Sequence, residues 1–178
     1  MNKTDRTYYI NIRKKLESNL KPDRYEHSLG VEFMSAALAM AHGVNIEKAE
    51  TAGLLHDCAK TIHNEKPYSH AFKGPEVAHD MYGIDDPEIL SAIKWHTTGK
   101  KDMTDLEKIV FIADYIEPSR EHREEMDEIR EVAFQDLTKA VYLISKHTIE
   151  YLTGKKADIE PHTIECFKYL EETGKYDK

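Results

Sequence analysis

Thr104-Asp-Leu-Glu-Lys-Ile-Val-Phe-Ile-Ala-Asp-Tyr-Ile116 is the stretch that decides how this chain folds. Thr104 with Glu107 three residues later is a capping-box pattern. Leu106, Ile109, Val110 and Ala113 follow at helical spacing, and Pro118 ends the run. Asp114 nevertheless stands inside the apolar segment from Val110 to Ile116. A bare carboxylate there costs several kcal/mol to bury unless it is paired. The stretch therefore predicts a buried helix and a partner for Asp114.

The same spacing recurs on both sides. Residues 5–19 read as an opening helix. Pro22-Asp23 opens a second to about Ala41, with Asp23 and Glu26 as a capping box and Gly43 as its stop. Asn45 caps a third, Ile46 to about Lys60, and Asp86-Pro87 starts another. A long helical region begins near Arg120, breaks near Gln135-Asp136 and reaches Leu152, and Glu160 to Leu170 closes the chain. Strand-like alternation is nearly absent, and no linker or repeat divides the sequence. The expectation is one all-α domain over residues 1–178.

Of the 178 residues 40% are apolar and 33% charged, which excludes a disordered or low-complexity chain. Lys plus Arg number 25 against 33 Asp plus Glu, a net charge of −8. That balance argues against nucleic acid or an anionic membrane as partner. From Glu117 to Asp136 there are eight acidic and three basic residues, which reads as a solvated helix face. Two cysteines make no disulfide framework, and no apolar run approaches the ~20 residues of a membrane span. A cytoplasmic protein is the expectation, with a homodimer left open.

Ten histidines are the compositional feature that asks for a function. His42 suits a helix end, while His63, His79, His122 and His147 lie among polar residues. His27, His56 and His96 instead fall on apolar helix faces, His56 directly before Asp57. One buried His–Asp pair is explained by a core hydrogen bond. Three histidines and two aspartates on four helices are better explained by a metal, which offsets the burial of all of them together.

The ordered set His27, His56-Asp57 and Asp114 resembles the HD superfamily of metal-dependent phosphohydrolases. The words Arg24-Tyr-Glu-His27-Ser-Leu, Leu54-Leu-His56-Asp57-Cys-Ala-Lys60, Trp95-His96-Thr97-Thr98-Gly99 and Ile112-Ala-Asp114-Tyr-Ile-Glu-Pro-Ser-Arg120 resemble its YqeK-type branch, the symmetrical bis(5′-nucleosyl)-tetraphosphatases. The resemblance runs from about Tyr9 to the Ile159-Glu-Pro-His-Thr-Ile segment. It implies an HD-domain helical bundle with a metal site among facing helices, and cleavage of diadenosine tetraphosphate to two ADP. It also implies two divalent ions, iron by family precedent. Mixed nitrogen and oxygen ligation suits manganese or zinc as well. The implied ligands of one ion are His27, His56, Asp57 and Asp114; the other shares Asp57 and adds His96 and His70. His70 lies in a segment whose proline, Pro75, is displaced from the family pattern.

Such ions suit an anionic anhydride, since they lower the pKa of water and neutralise phosphoryl oxygens. Asp57 fits a bridging position because a carboxylate has two oxygens. Asp57, Asp114 and Lys60 are the expected catalytic residues. Substrate contacts are expected from Arg24, Lys60, His70, His96, Thr97, Thr98, Gly99 and Arg120. Lys60 would lie one helical turn after His56, and Arg24 one turn before His27. The partner is then a small nucleotide. Two other readings stay open: an HD phosphohydrolase for a monoester, a triphosphate or a cyclic dinucleotide, and a metal-binding helical module without catalysis.

Overall fold

The computed structural model describes residues 6–62, 65–121 and 124–174. His63 and His122, both expected at the surface, lie outside the described residues. Nine α-helices and no strand occur among the described residues: α1 Arg6–Asn19, α2 Pro22–His42, α3 Ile46–Leu55, α4 Ser69–Tyr82, α5 Pro87–Trp95, α6 Asp105–Ile116, α7 Glu124–Ala133, α8 Leu137–Gly154 and α9 Pro161–Thr173. None of them is long and apolar enough to cross a membrane.

Local chemistry sets most of the boundaries. The Asn45 side chain accepts from the Lys48 N–H, Asp86 from Glu88, and Asp136 from Lys139, each supplying one of the partners a helix start lacks. Thr104 and Glu107 form the full capping box expected of α6. The box expected at Asp23 and Glu26 is not formed. Lys21 is the N-cap, and Pro22 already occupies the first turn, so Asp23 lies inside the helix. The long C-terminal region does break at Gln135-Asp136, into α7 and α8.

Two further differences affect the site. The third helix ends at Leu55, not near Lys60. Beyond it the backbone winds through three-residue turns, with N–H donors of Cys58, Lys60 and Ile62 reaching the carbonyls of Leu55, Asp57 and Ala59. An additional helix, α4, carries His70 and contains Pro75 in its interior.

α6 is the axis of the packing. It contacts α2, α3, α5, α7 and α8, so Leu106, Ile109, Val110, Ile112, Ala113 and Ile116 are all buried. α2 lies against α3, α3 against α5, and α5 against α4. Leu38, Leu54, Leu55 and Ile93 fill the space between them. The contacts among α2, α3, α4, α5 and α6 draw their histidine- and aspartate-bearing segments together.

Candidate metal and catalytic centre

Five elements converge. His27 comes from α2, His56 and Asp57 from the end of α3, His70 from α4, His96 from the end of α5, and Asp114 from α6. All except Asp114 are buried, and the Asp114 side chain keeps only 20% of its surface exposed.

The imidazoles are aimed by backbone carbonyls. His56 Nδ1 lies 2.7 Å from the Gly53 carbonyl and His96 Nδ1 lies 2.7 Å from that of Ile93. Each histidine directly follows the last residue of its helix, so the acceptor is an end carbonyl without a full set of helical donors. With Nδ1–H donated, each Nε2 turns inward as the accepting nitrogen.

Asp57 organises the centre through its two oxygens. Oδ1 lies 3.1 Å from His70 Nε2 and 3.6 Å from His96 Nε2. Oδ2 lies 3.7 Å from His56 Nε2, which is also 3.7 Å from Asp114 Oδ1. Asp114 Oδ1 in turn lies 2.9 Å from His27 Nε2. Two donor sets result, His27, His56, Asp57 and Asp114 on one side and Asp57, His70 and His96 on the other, joined at one carboxylate. Three overlapping groups of these residues have ligand atoms within 4.8 Å of one another.

Burial drives His56 down to about 4 and also lowers His70, which faces His96 and Lys60. Burial pushes Asp57 and Asp114 up. The neighbouring imidazoles, with Arg120 beside Asp114, outweigh it and hold both carboxyls well below their usual range. Neutral imidazole at His56 and His70 against ionised carboxylate is the protonation state that binds a transition metal. At His27 burial is outweighed by the Asp114 and Glu117 carboxylates, which raise the imidazole pKa. His56 Nε2 is buried and without a hydrogen-bond partner, although two carboxylates lie 3.7 Å away. A cation among these groups would satisfy that atom, so the residues present fit a metal.

The cations named from the sequence are also brought together. Lys60 Nζ lies 3.0 Å from His70 Nε2 and 3.6 Å from Asp57 Oδ1. It arrives by the three-residue turns rather than along a helix face. Arg24 lies 3.8 Å from Asp57 Oδ2. Arg120 folds back onto Asp114, with Nη2 2.5 Å from Oδ1 and Nε donating to the Asp114 carbonyl. Thr97 Oγ1 reaches His96 Nε2 at 2.8 Å and His70 Nε2 at 3.3 Å.

Thr98 and Gly99 stand behind this surface. The buried Thr98 hydroxyl donates to the Gly99 carbonyl. Gly99 has φ +64°, and a Cβ there would lie 3.0 Å from Cys166 Sγ. Chain reversal and close packing account for Gly99, while Thr98 lines a neighbouring cleft together with Thr97. Trp95 packs its ring against Phe72 and His162.

One residue was not singled out from the sequence. Glu117, expected on a solvated acidic face, is 1% exposed, and its Oε1 lies 2.8 Å from His27 Nδ1. The Ser119 N–H and hydroxyl both donate to it at 2.6 Å. A Cβ on Gly30 would come within 2.3 Å of Oε2, so only glycine leaves room for this carboxylate. The available signal was its position, one turn after Asp114 and directly before Pro118.

Comparison with known proteins agrees with this geometry. Residues 24–119 match the HD domain family. The symmetrical bis(5′-nucleosyl)-tetraphosphatase of Staphylococcus aureus is 39% identical, over 90% of this chain and 93% of its own. The protein of the same name from Halalkalibacterium halodurans is 34% identical, over 87% of this chain and 92% of its own. A crystal structure of a Clostridium acetobutylicum protein, described as a predicted HD superfamily hydrolase involved in NAD metabolism, superposes with a TM-score of 0.85 at 37% identity. The match covers 93% of this chain and 97% of that one.

Proposed function

The chain belongs to the HD-domain family and, within it, to the symmetrical bis(5′-nucleosyl)-tetraphosphatases; from that premise we propose that it hydrolyses diadenosine tetraphosphate into two ADP. The general activity is metal-dependent phosphoester or phosphoanhydride hydrolysis, and the substrate is the proposed part. The observation that carries this reading is Asp57, whose two oxygens face two separate donor sets.

In this reading His27, His56, Asp57 and Asp114 hold one divalent ion, and Asp57, His70 and His96 hold a second. Iron is the proposed metal, by analogy with the family. Bound ions would supply an activated water and draw charge from the phosphoryl oxygens. The chain's own residues do the rest. Lys60 and Arg24 flank Asp57 from opposite oxygens and neutralise a polyphosphate laid across the centre. Arg120 keeps Asp114 ionised and oriented, with part of its guanidinium exposed toward substrate. Thr97 offers a hydroxyl at the rim beside His96 and His70.

Attack by water on one of the two central phosphorus atoms breaks the bridging P–O bond between them. One ADP keeps the water oxygen, and the other leaves with the bridge oxygen. The balance is one water and one dinucleotide in, two ADP out. Lys60 and Arg24, directly beside the donor sets, favour this over a metal held for structure alone, where converging cations would have no task.

The test is incubation of metal-loaded protein with diadenosine tetraphosphate, followed by chromatography of the products. ADP as the sole nucleotide product is expected. AMP with ATP, or no turnover, overturns the proposal.

A further inference from the structure

Beside the His70 and His96 side of the centre lies a cleft of about 330 Å³, within the range of ~300–1,000 Å³ seen for small-molecule sites. Its near wall is Tyr68, just before α4, and Thr97, after α5. Its far wall comes from Thr148 and Leu152 of α8 and from Asp158 and Glu160 in the α8–α9 connection. We propose that this cleft seats a nucleoside of the substrate, so that the C-terminal helices make an HD hydrolase centre selective for nucleotides. The inference rests on the phosphohydrolase reading above and extends it to the part of the substrate away from the reacting bond.

Three observations carry it. First, the cleft and the centre share a residue. Thr97 lines the cleft and holds its hydroxyl 2.8 Å from His96 Nε2, so a group in the cleft is continuous with one at the donor sets.

Second, charge is divided between them. Arg24, Lys60 and Arg120 all cluster at the histidines and aspartates. The cleft instead carries the carboxylates of Asp158 and Glu160, with Lys66 as its only cation among the described lining residues. Phosphate is therefore favoured on the histidine side and disfavoured in the cleft. An uncharged ring and sugar bearing N–H and O–H donors have the opposite preference. Tyr68, packed edge-on against Phe72, and the apolar Leu152 offer surface for a flat heterocycle. The Thr148 hydroxyl and the Asp158 carboxylate offer acceptors, and Asp158 has no hydrogen-bond partner among the described residues.

Third, the walls differ in origin. The HD domain match stops at residue 119, so every far-wall residue lies outside it. Residues 24–119 hold all six donor residues, and the far wall of the cleft lies beyond them.

The experiment uses full-length, metal-loaded protein and compares binding of ADP with binding of inorganic pyrophosphate by calorimetry. Leu152→Trp fills the cleft, and Asp158→Ala removes an exposed acceptor with little consequence for packing. Leu152→Trp is expected to weaken ADP by about tenfold or more while pyrophosphate stays within about twofold, the scale of losing one ring-stacking surface. Asp158→Ala is expected to act in the same direction with a smaller effect. In unaltered protein, 8-azido-ADP is expected to photolabel the segment 148–163. Unchanged ADP affinity in both variants, or labelling confined to other segments, overturns the cleft assignment alone. Wild-type protein that binds neither ADP nor pyrophosphate overturns the hydrolase reading, and the cleft with it.

Discussion

Glu117 controls the centre without facing it. Its carboxylate accepts from His27 Nδ1, which leaves Nε2 as the inward lone pair, while Ser119 and the missing side chain of Gly30 fix the carboxylate itself. Glu117→Ala is expected to weaken metal binding by ~10–100-fold, read by competition with a chromogenic chelator. Glu117→Gln, whose amide oxygen still accepts, is expected to recover most of that loss. Equal loss in the two variants would mean that Glu117 serves stability rather than ligand orientation. Five of the six donor residues, His27, His56, Asp57, His96 and Asp114, are legible in the sequence because burying a histidine or an aspartate on an apolar face demands a reason; His70 follows only from the family resemblance. Glu117 is not legible, since it heads an acidic run whose other members suit solvent. A Thr-Thr-Gly stretch looks the same in sequence whether its residues face a ligand or end a helix: here Thr97 and Thr98 line the cleft, and Gly99 takes φ +64° at the chain reversal.

Helix starts were easier to locate than helix ends. Asn45, Asp86 and Thr104 announce themselves because a short polar side chain satisfies an orphan N–H, a strictly local event. Asn45→Ala is accordingly expected to lower stability by about 1 kcal/mol in urea denaturation, with metal content unchanged, because α3 begins at the end remote from Asp57. The end of α3 was placed too late. Cys58-Ala59-Lys60 has no residue that breaks a helix; the three-residue turns coincide with burial of Cys58 and Ala59 in the core, where the Cys58 thiol meets the Gly74 carbonyl of α4. α4 was absent from the reading because Gly74-Pro75 interrupts its pattern. Tertiary contact explains the glycine: a Cβ at Gly74 would lie 2.6 Å from the Ile93 side chain, so α4 packs closely on α5 and holds His70 beside His96.

Across the whole molecule the charge of −8 is unevenly used. Asp57 and Asp114 lie inside the centre, where divalent ions would reverse the local sign, so an acidic chain can accept a polyanion. Because the donors come from five elements, ions bound there would cross-link most of the bundle. Saturating metal is expected to raise the melting temperature, by the equivalent of about 2.7 kcal/mol for each ion at a hundred times its dissociation constant. Asp57→Ala, which removes a ligand from both donor sets, is expected to abolish that rise in differential scanning calorimetry. A metal-independent melting temperature in the unaltered protein would count against both sites. The division of the chain at residue 119 also has a consequence in time. Synthesis from the N-terminus delivers all six proposed donors and the Glu117 brace by the point at which Arg120 is added. Thr148, Leu152 and Asp158 are added later, so on the ribosome the residues proposed to grip an ion precede those proposed to choose what it acts upon.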